Sequence, residues 1–215
     1  MNEALSVFIA KQPDGLMHDF LKKAIHSFFQ ELNWYRLHNH DSEILHYATE
    51  ATLCSLFVNG VLRKDNPRII SAVQEYSCFR NKSCNGRADL FFRIADAGIW
   101  VETKYDRDTR IPQEHWNVPE WLNHEKAYFQ VLDYYESEKE LVNSSYQQHY
   151  ILTLCFKLYE GDREGLIATA HEKLSNAAFH SRSWYYGLGF IDQLGSKGQF
   201  GLEVYGSYEL KHTKT

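Results

Sequence analysis

Cysteine is scarce in this chain, and no stretch of it is continuously apolar. The 215 residues include only four cysteines, whose scattered positions do not form a disulfide framework. No segment approaches the roughly 18 consecutive apolar residues of a membrane span. The first twelve residues carry an early acid and no apolar run of the secretory type. These absences predict a cytoplasmic protein without a membrane partner.

Positive charge is also in slight deficit. Lysine and arginine number 23 against 28 aspartates and glutamates, so the formal net charge is −5. This balance argues against a protein that coats nucleic acid broadly and without specificity. It does not exclude a local contact with nucleic acid, because an acid-rich site can be flanked by a local basic rim.

The remaining composition is that of an ordinary globular domain. Hydrophobic residues make up 44% and charged residues 24% of the chain, which is enough apolar material for a core. No internal repeat or low-complexity tract divides the sequence. We therefore predict one domain over residues 1–215, since this length suits a single core with small additions.

Apolar spacing and turn residues predict alternating helices and strands. Helical spacing marks segments 16–32, 120–141 and 163–178. Asp41-Ser42 predicts the start of a further helix that ends at Gly60. Strands are predicted at 149–158, 184–191 and 200–210, and 69–79 is ambiguous between helix and strand. The order predicts an α/β fold with a mixed central sheet flanked by helices.

The pattern that carries most functional information lies in residues 86–104. An apolar strand containing Asp89 leads into the turn signal Ala95-Asp96-Ala97-Gly98, and a second apolar strand containing Glu102 and Lys104 follows. Side chains alternate along a strand, so Glu102 and Lys104 point to the same face.

Folding this hairpin about Asp96 places Asp89 across from roughly Thr103, within reach of the face that carries Glu102 and Lys104. Two carboxylates and an ammonium on one face of an apolar hairpin are costly to bury without compensation. A divalent cation held by the two acids is the natural compensation, and Mg²⁺ prefers such hard oxygen ligands.

Asp89 followed by Glu102-x-Lys104 on the next strand resembles the core motif of the PD-(D/E)XK nuclease superfamily, with Ala88 in place of the leading proline. The resemblance covers about residues 42–160. It implies a restriction-endonuclease-like fold and an enzyme that hydrolyses phosphodiester bonds with Mg²⁺ or Mn²⁺ as cofactor. We expect DNA as the substrate in preference to RNA. The N-terminal helix and the C-terminal strands would be additions to that core.

The resemblance also implies roles for the motif residues. Asp89 and Glu102 would hold the metal. Lys104 would orient the nucleophile, help to deprotonate it or stabilise charge on the scissile phosphate. A structural alternative for Lys104 is a salt bridge to one of the two acids, which is compatible with each of these roles.

Two further acids are candidates for the metal site. Glu50 borders the apolar stripe of the second helix, and Glu75 precedes the hairpin. The resemblance allows a helical acid or an acid just before the hairpin, and the sequence does not choose between them. Each also has an ordinary alternative, as a solvated helix residue or a plain strand residue.

Gln130 and Tyr134 lie four residues apart on the helix after the hairpin, so they share a face. This Gln-x-x-x-Tyr is similar to the RecB-like exonuclease branch, in which the Gln supports the site. Gln130 would then position the catalytic ensemble, and Tyr134 would contact nucleic acid. An ordinary amphipathic helix explains the same spacing.

Cations near the motif are candidates for contacting nucleic acid. Arg87 lies two residues before Asp89, and Arg107 and Arg110 lie in the polar connection of residues 106–120. Acids are interspersed there, so a solvated loop fits the same residues.

Two rival functions remain open from the sequence. A non-catalytic nuclease-like fold would serve as a binding or assembly module, although such a protein usually loses an acid or the lysine. An RNA-directed nuclease fits the same motif. The sequence also leaves open the oligomeric state, a homo-oligomer included.

Overall fold

Three helices and seven strands make up the described part of the computed structural model, which comprises residues 6–11, 14–38, 48–63, 69–80, 84–106, 119–143, 145–160, 182–192 and 199–213. In chain order they are β1 (Ser6–Lys11), α1 (Gly15–His38), α2 (Glu50–Arg63), β2 (Ile69–Arg80), β3 (Cys84–Ile94), β4 (Ala97–Asp106), α3 (Pro119–Asn143), β5 (Gln148–Glu160), β6 (Ser183–Asp192) and β7 (Gln199–Thr213). None of the helices in these ranges is long and apolar enough to cross a membrane.

All seven strands belong to one mixed sheet in the order β1-β6-β7-β5-β4-β3-β2. Strands β4 and β5 are parallel, and every other neighbouring pair is antiparallel. A parallel pair needs a crossover connection, and helix α3 lies in the connection between β4 and β5. The predicted α/β class, a mixed central sheet flanked by helices, is confirmed.

The sheet is covered on both faces. Helices α1 and α2 pack with Leu90, Phe92 and Val101 in one apolar cluster, whereas α3 packs with Phe91 and Trp100 in another. Consecutive residues of β3 and β4 thus belong to opposite faces. This two-sided burial explains why both motif strands read as nearly continuous apolar runs.

Side chains define the start of both N-terminal helices. Asp14 Oδ1 accepts hydrogen bonds from the backbone N–H groups of Leu16 and Met17, at 3.1 and 3.3 Å. Thr49 Oγ1 accepts a bond from the N–H of Thr52 at 3.2 Å. Both are N-caps, which satisfy N–H groups that have no partner inside the helix. The cap predicted at Asp41-Ser42 lies outside the described residues.

Gly60 lies inside α2, which continues to Arg63, so the prediction that Gly60 ends this helix was wrong. A Cβ on Gly60 would lie 2.8 Å from the backbone oxygen of Ser27 and 2.9 Å from the backbone nitrogen of Phe28. Glycine is therefore required here by the close approach of α1 and α2, and not by a helix terminus.

Replacing Gly60 with alanine tests that packing. Helix propensity alone would stabilise the protein by about 1 kcal/mol. The contact with the α1 backbone has the opposite effect, since overpacking costs about 1–3 kcal/mol. We expect a net fall of about 1 kcal/mol in the free energy of unfolding, measured by urea denaturation. Its exposed neighbour provides the control, because Asn59→Ala should not destabilise the protein. A Gly60→Ala protein more stable than wild type would contradict the packing argument.

Several other elements differ from expectation or extend it. The ambiguous segment 69–79 is part of strand β2, and β1 was not predicted. The two helices expected at 16–32 and 120–141, and the three strands expected after them, are present with longer bounds. The helix predicted at 163–178 lies outside the described residues.

Candidate functional site

The β3–β4 hairpin brings the motif residues together. It turns through Ala95-Asp96, where Ala95 has a φ of 48°, and its pairing runs up the strands as far as Leu90 and Val101. Asp89 lies next to the last pair, on the side away from the turn. If this register continued, Asp89 would stand opposite Glu102 and not opposite Thr103, the expected partner. The difference of one residue arises because the turn contains two residues, Ala95 and Asp96, and is not centred on Asp96.

The side chain of Asp89 nevertheless reaches Thr103. Its Oδ2 accepts a hydrogen bond from the backbone N–H of Thr103 at 2.7 Å and another from Thr103 Oγ1 at 2.8 Å. The carboxylate is thus anchored to β4 just beyond the point at which the paired register ends. Two hydrogen bonds to one charged oxygen fix its orientation.

Glu102 and Lys104 lie side by side on β4, as the strand alternation predicts. Lys104 Nζ donates to Glu102 Oε1 at 2.9 Å and to the carbonyl oxygen of Thr103 at 2.7 Å. Glu102 is only 3% exposed. Its Oε2 is buried and has no hydrogen-bond partner among the described residues. A buried carboxylate oxygen without a partner is energetically costly.

Glu50 joins this group from the first turn of α2. Its Oε2 accepts a hydrogen bond from the backbone N–H of Tyr105 at 3.0 Å, and its Oε1 accepts a weaker bond from Thr103 Oγ1 at 3.3 Å. The helical acid therefore contacts the same stretch of β4 as Asp89. Its position at the edge of the apolar stripe is explained by these partners.

The charges of the cluster perturb one another. Burial, with the nearby charge of Asp89 adding to it and Lys104 opposing both, raises the pKa of Glu102 to about 7. Burial likewise raises the pKa of Glu50, with Lys104 opposing and Asp89 adding. Burial alone would lower the pKa of Lys104, but Glu102 and the other acids outweigh it, so this pKa is raised.

No group of three or more His, Cys, Asp or Glu side chains forms a metal-holding arrangement within the ranges described above. Asp89 and Glu50 turn towards β4, and Glu102 turns towards Lys104. The residue types nevertheless fit a hard divalent cation, which takes carboxylate oxygens. Glu102 Oε2 and Asp89 Oδ1 are the oxygens that these hydrogen bonds leave for such an ion.

The remaining predicted site residues are distributed differently. Arg87 is exposed on β3. Glu75 lies on β2, but its side chain is outside the described residues, as are Arg107 and Arg110. The choice of Glu75 as an additional ligand and the two loop arginines as nucleic-acid contacts therefore stay predictions.

Gln130 and Tyr134 have different environments on α3. Gln130 is half-buried and makes no hydrogen bond to the acids in the described part of the chain. Tyr134 is 4% exposed and packs with Phe91 and Trp100 in the apolar cluster under α3. So deeply buried a ring does not suit the predicted contact with nucleic acid.

Sequence reasoning did not identify Thr103 and Cys54 as members of the site. Thr103 is fully buried, and its hydroxyl accepts a hydrogen bond from Cys54 Sγ at 3.3 Å. The alternation of strand side chains turns Thr103 away from Glu102 and Lys104, so the pattern directed attention to the other face. The available signal was the hairpin itself, which placed Thr103 roughly across from Asp89.

No family model, curated protein or solved structure matches this chain. The functional interpretation of Asp89, Glu102 and Lys104 therefore depends on the contacts and charges described above.

Proposed function

We propose that this chain is a metal-dependent nuclease that hydrolyses phosphodiester bonds, with DNA as its substrate. The observation that supports this most is the joint placement of Asp89, Glu102 and Lys104 at the end of the β3–β4 pairing, with Glu50 beside them. The buried Glu102 Oε2, which has no hydrogen-bond partner among the described residues, adds to it, because a cation would compensate its burial. DNA is the substrate class that the sequence resemblance implies.

Asp89 and Glu102 would hold the cation, Mg²⁺ or Mn²⁺. When bound, such an ion lowers the pKa of its coordinated water and stabilises charge on the phosphate. Asp89 is prepared for this task because its other oxygen is already fixed by Thr103. Glu50 is the acid best placed to tune the site, since it contacts both Thr103 and Tyr105.

Lys104 would act as a donor in this site. The neighbouring carboxylates raise its pKa, so its ammonium keeps its proton at neutral pH. An ammonium in that state orients a water molecule and stabilises negative charge on a phosphate, and it does not serve as a general base. In the metal-free protein this charge suits orientation and charge stabilisation, and the choice among the three roles of Lys104 stays a prediction.

A cleavage assay tests the proposal. Purified protein with Mn²⁺ is incubated with linear DNA, circular DNA, single-stranded DNA and RNA, with EDTA as the negative control. We expect cleavage of at least one DNA substrate, dependent on Mn²⁺ and lost in Asp89→Asn, which keeps the shape but removes the charge. Cleavage of RNA alone would make the chain an RNA-directed nuclease. Inactivity on all four substrates would favour the non-catalytic binding module.

Metal should also stabilise the fold. A cation would offset the burial of Glu102 and Glu50 and their repulsion with Asp89, which together raise the pKa values of these two glutamates. If the Kd is on the order of 1 mM, about 10 mM Mn²⁺ should add roughly 1.4 kcal/mol to the free energy of unfolding. Thermal denaturation with and without Mn²⁺ measures this gain. Asp89→Asn should lose most of it, and a wild-type Tm that Mn²⁺ does not move would count against the site.

A further inference from the structure

Thr103 lies between Glu102 and Lys104 in sequence and forms hydrogen bonds with Asp89, Glu50 and Lys104. Its backbone N–H and its hydroxyl both donate to Asp89 Oδ2, at 2.7 and 2.8 Å. The hydroxyl also lies 3.3 Å from Glu50 Oε1, and the carbonyl oxygen accepts from Lys104 Nζ at 2.7 Å. The residue is fully buried, so these bonds form without competition from bulk water.

A threonine hydroxyl has one proton to donate, and the environment decides where that proton points. Cys54 Sγ donates to Thr103 Oγ1 at 3.3 Å. Burial raises the pKa of Cys54 to about 12, so this residue stays a thiol and acts as a donor. The Thr103 proton is therefore directed to the carboxylates, with the shorter distance to Asp89 than to Glu50.

The consequence concerns the free oxygen of Asp89. Both donors of Thr103 bind Oδ2, which fixes the rotation of the carboxylate and leaves Oδ1 for a ligand. We propose that Thr103 is a positioning residue, which holds Asp89 in the orientation that accepts a divalent cation. This inference depends on the proposed metal-dependent function and names a residue through which that site acts.

The test removes the hydroxyl alone. Thr103→Val keeps the branched shape and the backbone N–H, and Thr103→Ser restores the hydroxyl. Mn²⁺ affinity is measured by isothermal titration calorimetry on the metal-free proteins, without substrate. Loss of a group that orients a metal ligand weakens metal binding about 10- to 100-fold. We expect at least about a tenfold weaker affinity for Thr103→Val and recovery to within about threefold for Thr103→Ser.

Thr153 provides a matched control. It is a fully buried threonine on β5, next to Glu102 in the parallel register. Its hydroxyl accepts from the N–H of Ser207 at 2.8 Å and donates to the Ser207 carbonyl oxygen at 3.2 Å, and within the described ranges it bonds to none of the acids. Thr153→Val should lower the free energy of unfolding without changing the Mn²⁺ affinity, which separates loss of stability from loss of positioning.

Kinetics add a second readout. The Mn²⁺ concentration for half-maximal cleavage should rise in Thr103→Val by the same factor as the calorimetric Kd, while the KM for DNA changes less than twofold. If Thr103→Val does not fold, Thr103→Ala replaces it in both measurements.

Three outcomes would overturn the inference. Wild-type Mn²⁺ affinity in Thr103→Val would do so while leaving the proposed nuclease function intact. Equal impairment of Thr103→Val and Thr103→Ser would show that the hydroxyl is not the cause. Absence of Mn²⁺ binding in the wild type would remove the proposed function, and this inference with it.

Discussion

Replacement of Lys104 by alanine should lower the cleavage rate by at least about a hundredfold, while Mn²⁺ binding is retained or tightened. Lys104 donates to Glu102 Oε1 at 2.9 Å and keeps its proton at neutral pH. In the proposed nuclease, removing it would delete a positive charge that stabilises the reacting phosphate. The same deletion would remove a charge that repels the proposed metal ion, and it frees an oxygen of Glu102. Single-turnover cleavage and calorimetric Mn²⁺ titration measure the two effects separately.

The control for this variant is a lysine of similar chemistry away from the site. Lys139 lies on α3, is 46% exposed at its side chain and pairs with Glu136 at 2.6 Å. Lys139→Ala should leave both the rate and the affinity unchanged, because exposed pairs contribute little. A Lys104→Ala protein that cuts at the wild-type rate would refute the donor role. Loss of Mn²⁺ binding in that protein would show that Lys104 supports the metal ligands instead.

The sequence was sufficient for the elements with strong, regular patterning. Apolar residues at helical spacing predicted α1 and α3, and short apolar runs bounded by turn residues predicted the hairpin and the last three strands. Burial on both faces made those runs conspicuous. The class of fold followed from their order, because alternating helices and strands form a sheet that helices cover.

Elements whose identity depends on distant contacts could not be predicted in the same way. Glycine is a residue type that often ends helices, but Gly60 lies inside one. Its lack of a side chain allows the backbone of Ser27, on another helix, to approach closely. Segment 69–79 has no clear period, and its pairing with β3 decides that it is a strand. Local propensity is weaker than such tertiary contacts.

In the candidate site too, local spacing predicted some residues, whereas the role of another depends on tertiary contacts. Asp89, Glu102 and Lys104 were identified from spacing, because alternation along one strand and a short turn bring them close. Thr103 was placed roughly across from Asp89 but was not recognised as its anchor, because their contact arises where the β3–β4 register ends at Leu90. The point at which two strands stop pairing is a property of the whole sheet, and alternation alone assigns Thr103 to the other face.

The second large effect that we expect is acid destabilisation through His124, which lies far from the motif in sequence. His124 is fully buried on α3, and its Nε2 lies 2.9 Å from Ser207 Oγ. Burial, with a contribution from the positive charge of Arg182, lowers its pKa to about 3. Glu125 lies 3.5 Å from the ring, but it is itself paired with Arg182 at 3.2 Å. The ring therefore stays neutral in the fold.

The sign of the pH dependence follows. In the unfolded chain a histidine takes up a proton near pH 6.5, whereas folded His124 resists protonation down to about 3. Its contribution to stability is present above pH 6.5 and is lost as the pH falls towards 3. Between pH 8 and pH 5 the loss should be about 2 kcal/mol in the free energy of unfolding.

Urea denaturation of wild type and His124→Gln at several pH values isolates this contribution, since other titrating groups are common to both proteins. The variant keeps a hydrogen-bonding group for Ser207 but has no proton to take up, so its stability relative to wild type should rise by about 2 kcal/mol from pH 8 to pH 5. His26→Gln provides a matched control for the substitution itself, because His26 is exposed on α1. A flat difference curve for His124→Gln would mean that the buried ring accepts a proton without cost, and the account of its burial would be wrong.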